Sequence, residues 1–266
     1  MYLNILSLRN SKDELQLLIT MHPKVEIIIL NEVWIYNNEV EYFQLNGFNS
    51  IFNCREYNRG GGSAIYVKSN ISFKTIKVED QFNTILIEVQ LQYESLKIMT
   101  CYRSPSNIKE DIRLYIQHVE NLFSNYSNLV FIGDTNINIL REDSIAMEYV
   151  DCVRSTGFEF ILKDQPTRSA SSTLIDHVIS DSTHENAQSI TLFDVPGLDH
   201  KAILYTKRTS TSKKGWVTKS FVKFNTASYI NTISTKLQES YVENFDQLIE
   251  ILSSAKKKKQ QLNQRN

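Results

Sequence analysis

Residues 129–136 read Leu-Val-Phe-Ile-Gly-Asp-Thr-Asn. Leu129 to Ile132 fit a short strand buried on both faces, and the polar Gly133-Asp134-Thr135-Asn136 follows at its end. The same arrangement occurs earlier: Val25 to Leu30 is a continuous apolar run rich in β-branched residues, and Asn31-Glu32 closes it. Upstream of that run, Ser11-Lys12-Asp13-Glu14 has capping-box spacing, and Leu15, Leu18 and Ile19 recur at helical spacing until Pro23. Asn4 to Leu8 read as the end of a strand and its turn, so the chain opens strand–helix–strand. In the second half, Ile108 to Phe123 predicts a helix whose apolar face carries Ile112, Tyr115, Ile116, Val119, Leu122 and Phe123. Ile145 to Ser155 predicts another. Ala64–Lys68, Ser72–Val78, Thr84–Leu91 and Leu96–Tyr102 read as strands with short, hairpin-like connections, and Leu174–Ile179 and Lys201–Tyr205 as the last strands. Two strand–helix–strand halves with hairpins between them predict a layered α/β fold with two mixed sheets.

Composition narrows the class. The chain has 266 residues, 41% of them hydrophobic and 11% aromatic, enough for a packed core, which excludes global disorder. Its longest apolar run, Ile27 to Leu30, is far too short to cross a bilayer, so no membrane partner is expected. The opening MYLNILSLRN lacks the features of a signal peptide. Cys54, Cys101 and Cys152 are widely spaced and odd in number, with neither metal-ligand nor disulfide spacing, which points to a reducing, intracellular compartment. Residues 1–206 hold 17 basic and 26 acidic side chains, a net of −9, whereas 207–266 hold 12 and 4, a net of +8. An acidic body restricts any phosphate contact to a local patch. The expected organisation is one domain over 1–206 and a basic appendage over 207–266: a linker at 207–224, weak helical periodicity at 226–255, and a disordered end from Lys256-Lys257-Lys258-Lys259 onward.

The residues able to do chemistry cluster at strand ends, where ligand sites of open α/β sheets form. They are Asn4, Glu32, Tyr102-Arg103, Asp134, Asn136, Asp176 in Ile175-Asp176-His177, and Asp199-His200. Carboxylates suit a hard cation such as Mg²⁺ with substrate phosphate oxygens. A phosphodiester hydrolase also needs a positioned water and donors for developing charge. No nucleophile elbow, P-loop or dinucleotide fingerprint is present. Each residue alone also has a plainer reading. Asp134 with Asn136, and Asp199-His200 after Gly197, are good turn formers; Glu32 is an ordinary loop residue or helix cap. His22, His118 and His184 read as surface or loop histidines, His177 as a packed group, and Gly60 to Gly62 as a flexible turn.

Taken in order, the patterns are specific. Asn4, LNE at 30–32, RGGGSAIYVK at 59–68, CYRSP at 101–105, GDTNIN at 133–138, PTR at 166–168, SSTLIDHVIS at 171–180 and LDH at 198–200 form one series. This series resembles the endonuclease domain of non-LTR, LINE-type retrotransposons, within the endonuclease/exonuclease/phosphatase superfamily that also holds apurinic endonucleases and DNase I. The resemblance covers about residues 2–206. It implies a four-layer sandwich of two mixed sheets flanked by helices, followed here by a basic, partly helical tail. It implies a metal, Mg²⁺ with Mn²⁺ as substitute, held by Glu32 with Asp199 and Asn4. Asp134 would orient or deprotonate the attacking water. Asn136 and Tyr102 would hold the scissile phosphate, His200 would donate to it, and Asp176 would orient His200. Arg103, Arg168 and Thr167 would lie along the DNA backbone. The implied product is a nick in duplex DNA with a 3′ hydroxyl that primes reverse transcription. Action in the nucleus, and element RNA or a reverse transcriptase as partners within a larger product, would follow; the oligomeric state is open.

Three departures stand out. The usual S-D-H is Leu198-Asp199-His200, and the usual G-D-F-N is Gly133-Asp134-Thr135-Asn136. Loss of a buried aromatic at 135 costs roughly 2–4 kcal/mol unless neighbours refill the gap. The first strand, starting at Met1, is short, which predicts weak pairing. No Y-x-D-D motif of a reverse transcriptase occurs. Two other readings therefore stand beside the endonuclease: a decayed element that binds nucleic acid without cutting, and a superfamily phosphodiesterase with a non-DNA substrate.

Overall fold

The computed structural model describes residues 1–55, 60–92, 94–105, 108–141, 143–181 and 188–208. The expected linker, weak helices and tail lie outside this set from residue 209 onward, as does His184. The first sheet is built from β1 (Tyr2–Asn4), β2 (Ile27–Asn31), β3 (Phe48–Asn53), β4 (Ser63–Lys68), β11 (Gln188–Phe193) and β12 (Ala202–Lys207). Its spatial order is β11-β12-β1-β2-β4-β3. The second contains β5 (Ser72–Glu79), β6 (Thr84–Gln90), β7 (Ser95–Thr100), β8 (Leu129–Asp134), β9 (Phe158–Phe160) and β10 (Asp176–Asp181), in the order β5-β6-β7-β8-β10-β9. Each sheet has one parallel pair, β1 with β2 and β7 with β8, and is otherwise antiparallel. A parallel pair needs a crossover, and both crossovers are helical: α1 (Lys12–Met21) joins β1 to β2, and α2 (Lys109–Asn125) joins β7 to β8. A third helix, α3 (Ser144–Ser155), follows β8.

Period-2 alternation divides the apolar residues among three cores. Tyr2, Ile29, Ile65, Ile87, Val130, Ile132, Val178 and Ile203 fill the space between the sheets. Their neighbours along the strands, Leu3, Ile28, Leu30 and Tyr66, point outward and pack with Leu15 and Leu18 of α1. On the far side Met99, Leu129, Phe131 and Ile179 meet Tyr115, Ile116 and Val119 of α2 and Tyr149 and Val153 of α3. Strands buried on both faces are why Ile27–Leu30 and Leu129–Ile132 read as unbroken apolar runs. The result is the expected four-layer sandwich.

Details differ from the sequence reading. Ser11 precedes α1 but makes no side-chain cap; its ψ of 25° is far from the extended value that aims a hydroxyl at the free N–H groups of the first turn. The helix at α3 is capped instead by Asp143, which accepts from Ala146 N at 2.9 Å. The three-residue β1 is not a weak edge. It sits between β12 and β2, with Leu3 paired to Leu30 and Asn4 to Asn31, and it is fully buried. His118 is no surface histidine: it lies on α2, meets Thr84 Oγ1 at 2.9 Å, and rests against Phe82.

Candidate active site

Strand direction gathers the chemistry at one end of the sandwich. β1 ends at Asn4, β2 at Asn31 and β8 at Asp134. The antiparallel β10 starts at the same level, with Asp176 paired to Asp134, and β12 starts just after His200. Tyr102 bridges to Asp134 beyond the end of β7. Gly133 is what lets the backbones approach there, because a Cβ would strike the Cys101 carbonyl oxygen.

Glu32 follows β2 in a left-handed conformation, φ 55°, as does Trp34 at 53°. Asn4 Nδ2 donates to Glu32 Oε1 and to Asp134 Oδ2, both at 2.8 Å, so one amide fixes two carboxylates. Trp34 Nε1 donates to Glu32 Oε2 at 3.1 Å. The Glu32 loop leans on the glycine run: Trp34 N donates to Gly61 O at 3.1 Å and Val33 N to Gly62 O at 3.4 Å. Gly62 has φ 83°, and a Cβ there would lie 2.8 Å from Val33 Cγ2. The run expected to be a flexible turn is thus a fixed support for Glu32.

Asp176 Oδ2 faces His200 Nδ1 at 2.8 Å, which directs the other ring nitrogen, Nε2, toward Asp199, 3.9 Å from its Oδ1. Asp134, Asp176 and His200 each offer an oxygen or nitrogen within 4.8 Å of the others. Burial raises the Asp134 carboxyl above the ordinary range, and the Asp176 charge raises it further, against the opposing effect of His200. Burial also disfavours charge on His200, but Asp176 and then Asp134 outweigh it and push its pKa up to about 9. Asp176 itself is lowered: its burial is overcome by the His200 charge and by donors from His200, Tyr2 and Thr167. These surroundings favour the charged, donating form of His200 and disfavour charge on Asp134. Burial, and then Glu32 and Asp134, raise the Tyr102 pKa and keep it a neutral hydroxyl.

The remaining expected residues fall as follows. Asn136, φ 50°, donates from Nδ2 to Arg103 O at 2.8 Å, and its main-chain N–H goes to Asp134 Oδ1 at 2.9 Å. Arg103, expected along the DNA backbone, is buried. It is 2% exposed, and its guanidinium donates to Thr135 O (2.6 Å), Asn136 O (2.8 Å) and Ser104 O (3.2 Å), shaping the turn that carries Asn136. Thr167 is likewise buried; its Oγ1 accepts from Ile175 N and Asp176 N at 3.2 and 3.1 Å and anchors the start of β10. Arg168 is half exposed, with Nε and Nη2 on Asp199 Oδ2 at 2.7 and 2.5 Å. His177 is packed, as expected: it stacks on Tyr149, meets Phe160 edge-on and lies 3.1 Å from Thr135 Oγ1. The Thr135 hydroxyl also accepts from Ile137 N at 3.2 Å, and Thr135 is fully buried. Leu198 is half buried against the first core.

Sequence reading missed Tyr2, Asn31 and Trp34. Asn31 Nδ2 donates to Ser63 Oγ (2.9 Å) and Thr100 Oγ1 (3.1 Å), while its Oδ1 accepts the Asp134 main-chain N–H (2.9 Å). A polar residue ending an otherwise apolar strand was the available signal, and Asn31 carried it as plainly as Glu32 did.

The donor set suits a hard cation. Glu32 is a buried carboxylate, and Asp199 is a partly exposed one whose Oδ1 is buried with no hydrogen-bond partner among the described residues. The side-chain oxygen of Asn4 accepts only a long bond from Leu6 N, 3.3 Å, among the described residues. The tight group of Asp134, Asp176 and His200 is a second arrangement of possible ligands, and it consists of residues expected to act on water and phosphate.

No protein-family model matches the sequence, and no curated protein matches it either. Solved structures do. The endonuclease domain of TRAS1, a telomere-specific non-LTR retrotransposon, superposes with a TM-score of 0.64 at 14% identity, over 78% of this chain and 96% of that one. The chain has the DNase I-like fold. The same fold appears in the AP endonuclease LMAP from Leishmania major (TM-score 0.64, 10% identity, 78% of this chain and 87% of that). It appears again in the 3′ phosphatase NExo from Neisseria bound to a product DNA hairpin (0.58, 14%, 78% and 98%). The DNase I-like sandwich of this chain places its carboxylates, amides and imidazole at the strand ends described above, and no helix is long and apolar enough to cross a membrane among the described residues.

Proposed function

We propose that this chain is a divalent-metal-dependent endonuclease that hydrolyses a phosphodiester of duplex DNA and leaves a 3′ hydroxyl. One observation carries the reading: the Asp134 carboxyl, oriented by Asn4, stands beside the His200 imidazole that Asp176 holds. A carboxyl and an imidazole side by side suit water attack on a phosphate.

In this reading Asp134 accepts a hydrogen bond from the attacking water and takes its proton as the phosphorus–oxygen bond forms. His200 donates from Nε2 to a non-bridging phosphate oxygen and offsets the added negative charge. Asp176 keeps the His200 ring turned by its bond to Nδ1. Asn136 and the Tyr102 hydroxyl bind the phosphate, and Arg103 fixes the Asn136 turn. Glu32 and Asp199, with Asn4 beside them, would hold Mg²⁺, or Mn²⁺ in its place, which supplies positive charge next to the scissile phosphate when bound. Arg168 sets the orientation of Asp199. Support for a DNA substrate comes from the DNA-processing enzymes that share the fold, one of them with product DNA bound.

The biological setting proposed is target-primed reverse transcription of a non-LTR retrotransposon, with action in the nucleus and element RNA or a reverse transcriptase as partners. The ordered motifs from Asn4 to His200 support it. Its chemical requirement is a nick that a polymerase extends. A labelled duplex oligonucleotide cut by the purified chain in Mg²⁺ should yield a strand that a DNA polymerase elongates directly. Product that needs phosphatase treatment before extension would rule the reading out.

A further inference from the structure

Tyr2 is fully buried on β1, and its side chain crosses from the first sheet to the second. Its hydroxyl lies 2.6 Å from Asp176 Oδ1 on β10 and 3.2 Å from Asn31 Oδ1 on β2. A phenol has one proton to give. Asn31 Nδ2 is committed to Ser63 and Thr100, so its Oδ1 is the atom facing Tyr2, and that oxygen already accepts the Asp134 N–H. Asp176 is the nearer acceptor and the charged one, so the proton goes there. The two carboxylate oxygens of Asp176 are then divided: Oδ1 takes the Tyr2 hydroxyl and Oδ2 takes His200 Nδ1–H. With both oxygens held from opposite sides in a dry interior, the carboxylate plane cannot turn, and neither can the imidazole.

We propose that Tyr2 is a positioning residue, which through Asp176 fixes the direction of His200 Nε2 toward the reacting phosphate. The proposal rests on the endonuclease reading for its effect on rate, but the hydrogen-bond chain itself is independent of it. Tyr2→Phe removes one oxygen and keeps the ring that fills the inter-sheet core. It takes away one of the donors, Tyr2, His200 and Thr167, that hold the Asp176 carboxylate, which loosens that carboxylate and misdirects the imidazole without touching the DNA-binding surface.

Two measurements test this on the full chain. In proton NMR of the wild type, the Tyr2 hydroxyl and His200 Nδ1–H should both resonate at low field, and Tyr2→Phe should shift the His200 signal while the fold is retained. Kinetically, Tyr2→Phe should lower kcat for nicking by roughly ten- to hundredfold, with KM for DNA nearly unchanged, as expected for a small misplacement of a reacting group. In an Asp176→Asn background the same change should cost almost nothing further. An unmoved His200 signal, or an equal fold-loss of kcat in the Asp176→Asn background, would overturn the proposal. So would the lack of a low-field Tyr2 hydroxyl proton in the wild type, an outcome open even if Tyr2→Phe fails to fold. Wild-type protein that shows both protons and no nicking would contradict the endonuclease reading and leave the hydrogen-bond chain standing.

Discussion

Asn31 Oδ1 accepts the main-chain N–H of Asp134 at 2.9 Å, across the gap between the two sheets. The bond ties the end of β2 to the end of β8, the two strands that present Glu32 and Asp134. Asn31→Ala would strand the buried Asp134 N–H and remove the partner of Ser63 and Thr100. A loss of about 2–4 kcal/mol is expected. Urea unfolding should show it as a lower midpoint with an unchanged slope, and nicking should fall with it.

His177 gives a pH dependence of stability. Burial lowers its pKa from 6.5 to about 4, so the folded state resists protonation. Stability is full above 6.5, where both folded and unfolded states carry a neutral ring. As pH falls from 6.5 toward 4 the unfolded chain takes up a proton that the folded chain refuses, and about 3 kcal/mol is lost. His177 contributes a fall in the denaturation midpoint across this range, read as the difference between wild type and a His177 variant because the raised Asp134 carboxyl titrates with the opposite sign. In His177→Phe the fall should flatten, from a lower starting stability, because the bonds to Thr135 and Leu174 are gone.

Gly62 should tolerate no side chain. Its φ of 83° and the 2.8 Å approach of a Cβ to Val33 Cγ2 both oppose alanine. Gly62→Ala should cost about 1–3 kcal/mol and push the Val33–Trp34 segment away from the glycine run. Because that segment carries Glu32, titration with Mn²⁺ should show weaker binding than in wild type.

Arg103 separates a structural from a DNA-contacting role. A phosphate contact, when removed, lowers the slope of log affinity against log salt by about 1. With its guanidinium on main-chain carbonyls, Arg103→Gln should leave that slope unchanged and lower kcat by releasing the Asn136 turn. A reduced slope would put Arg103 back on the DNA.

Legibility in the sequence followed burial. Strands buried on both faces, β2 and β8, announced themselves as apolar runs, and α2 by the spacing from Ile112 to Phe123. Elements with one wet face or few residues did not: the edge strands β3 and β11, the three-residue β9, and the short 3-10 helix over Asn37–Phe43 passed unseen. At the site, Asn4, Glu32, Asp134, Asp176 and His200 were legible because each ends or opens a strand, and strand ends converge. For Arg103 and Thr167, residue type suggested a surface role, whereas both are buried with their polar atoms on main-chain groups at Thr135, Asn136, Ile175 and Asp176. Tyr2 was hidden, and the role of Asn31 unread, because their partners lie on the opposite sheet, 174 and 103 positions away in the chain.

The central claim is metal-dependent hydrolysis at the Glu32–Asp134–His200 end of the sandwich. Nicking of supercoiled plasmid by the purified chain, in Mg²⁺ and in chelator and beside Glu32→Ala, tests it most directly. Conversion to open circles that requires both the metal and Glu32 is the predicted result. Conversion that persists in chelator or in the folded Glu32→Ala protein, or no conversion by folded wild type in Mg²⁺ or Mn²⁺, would contradict the account.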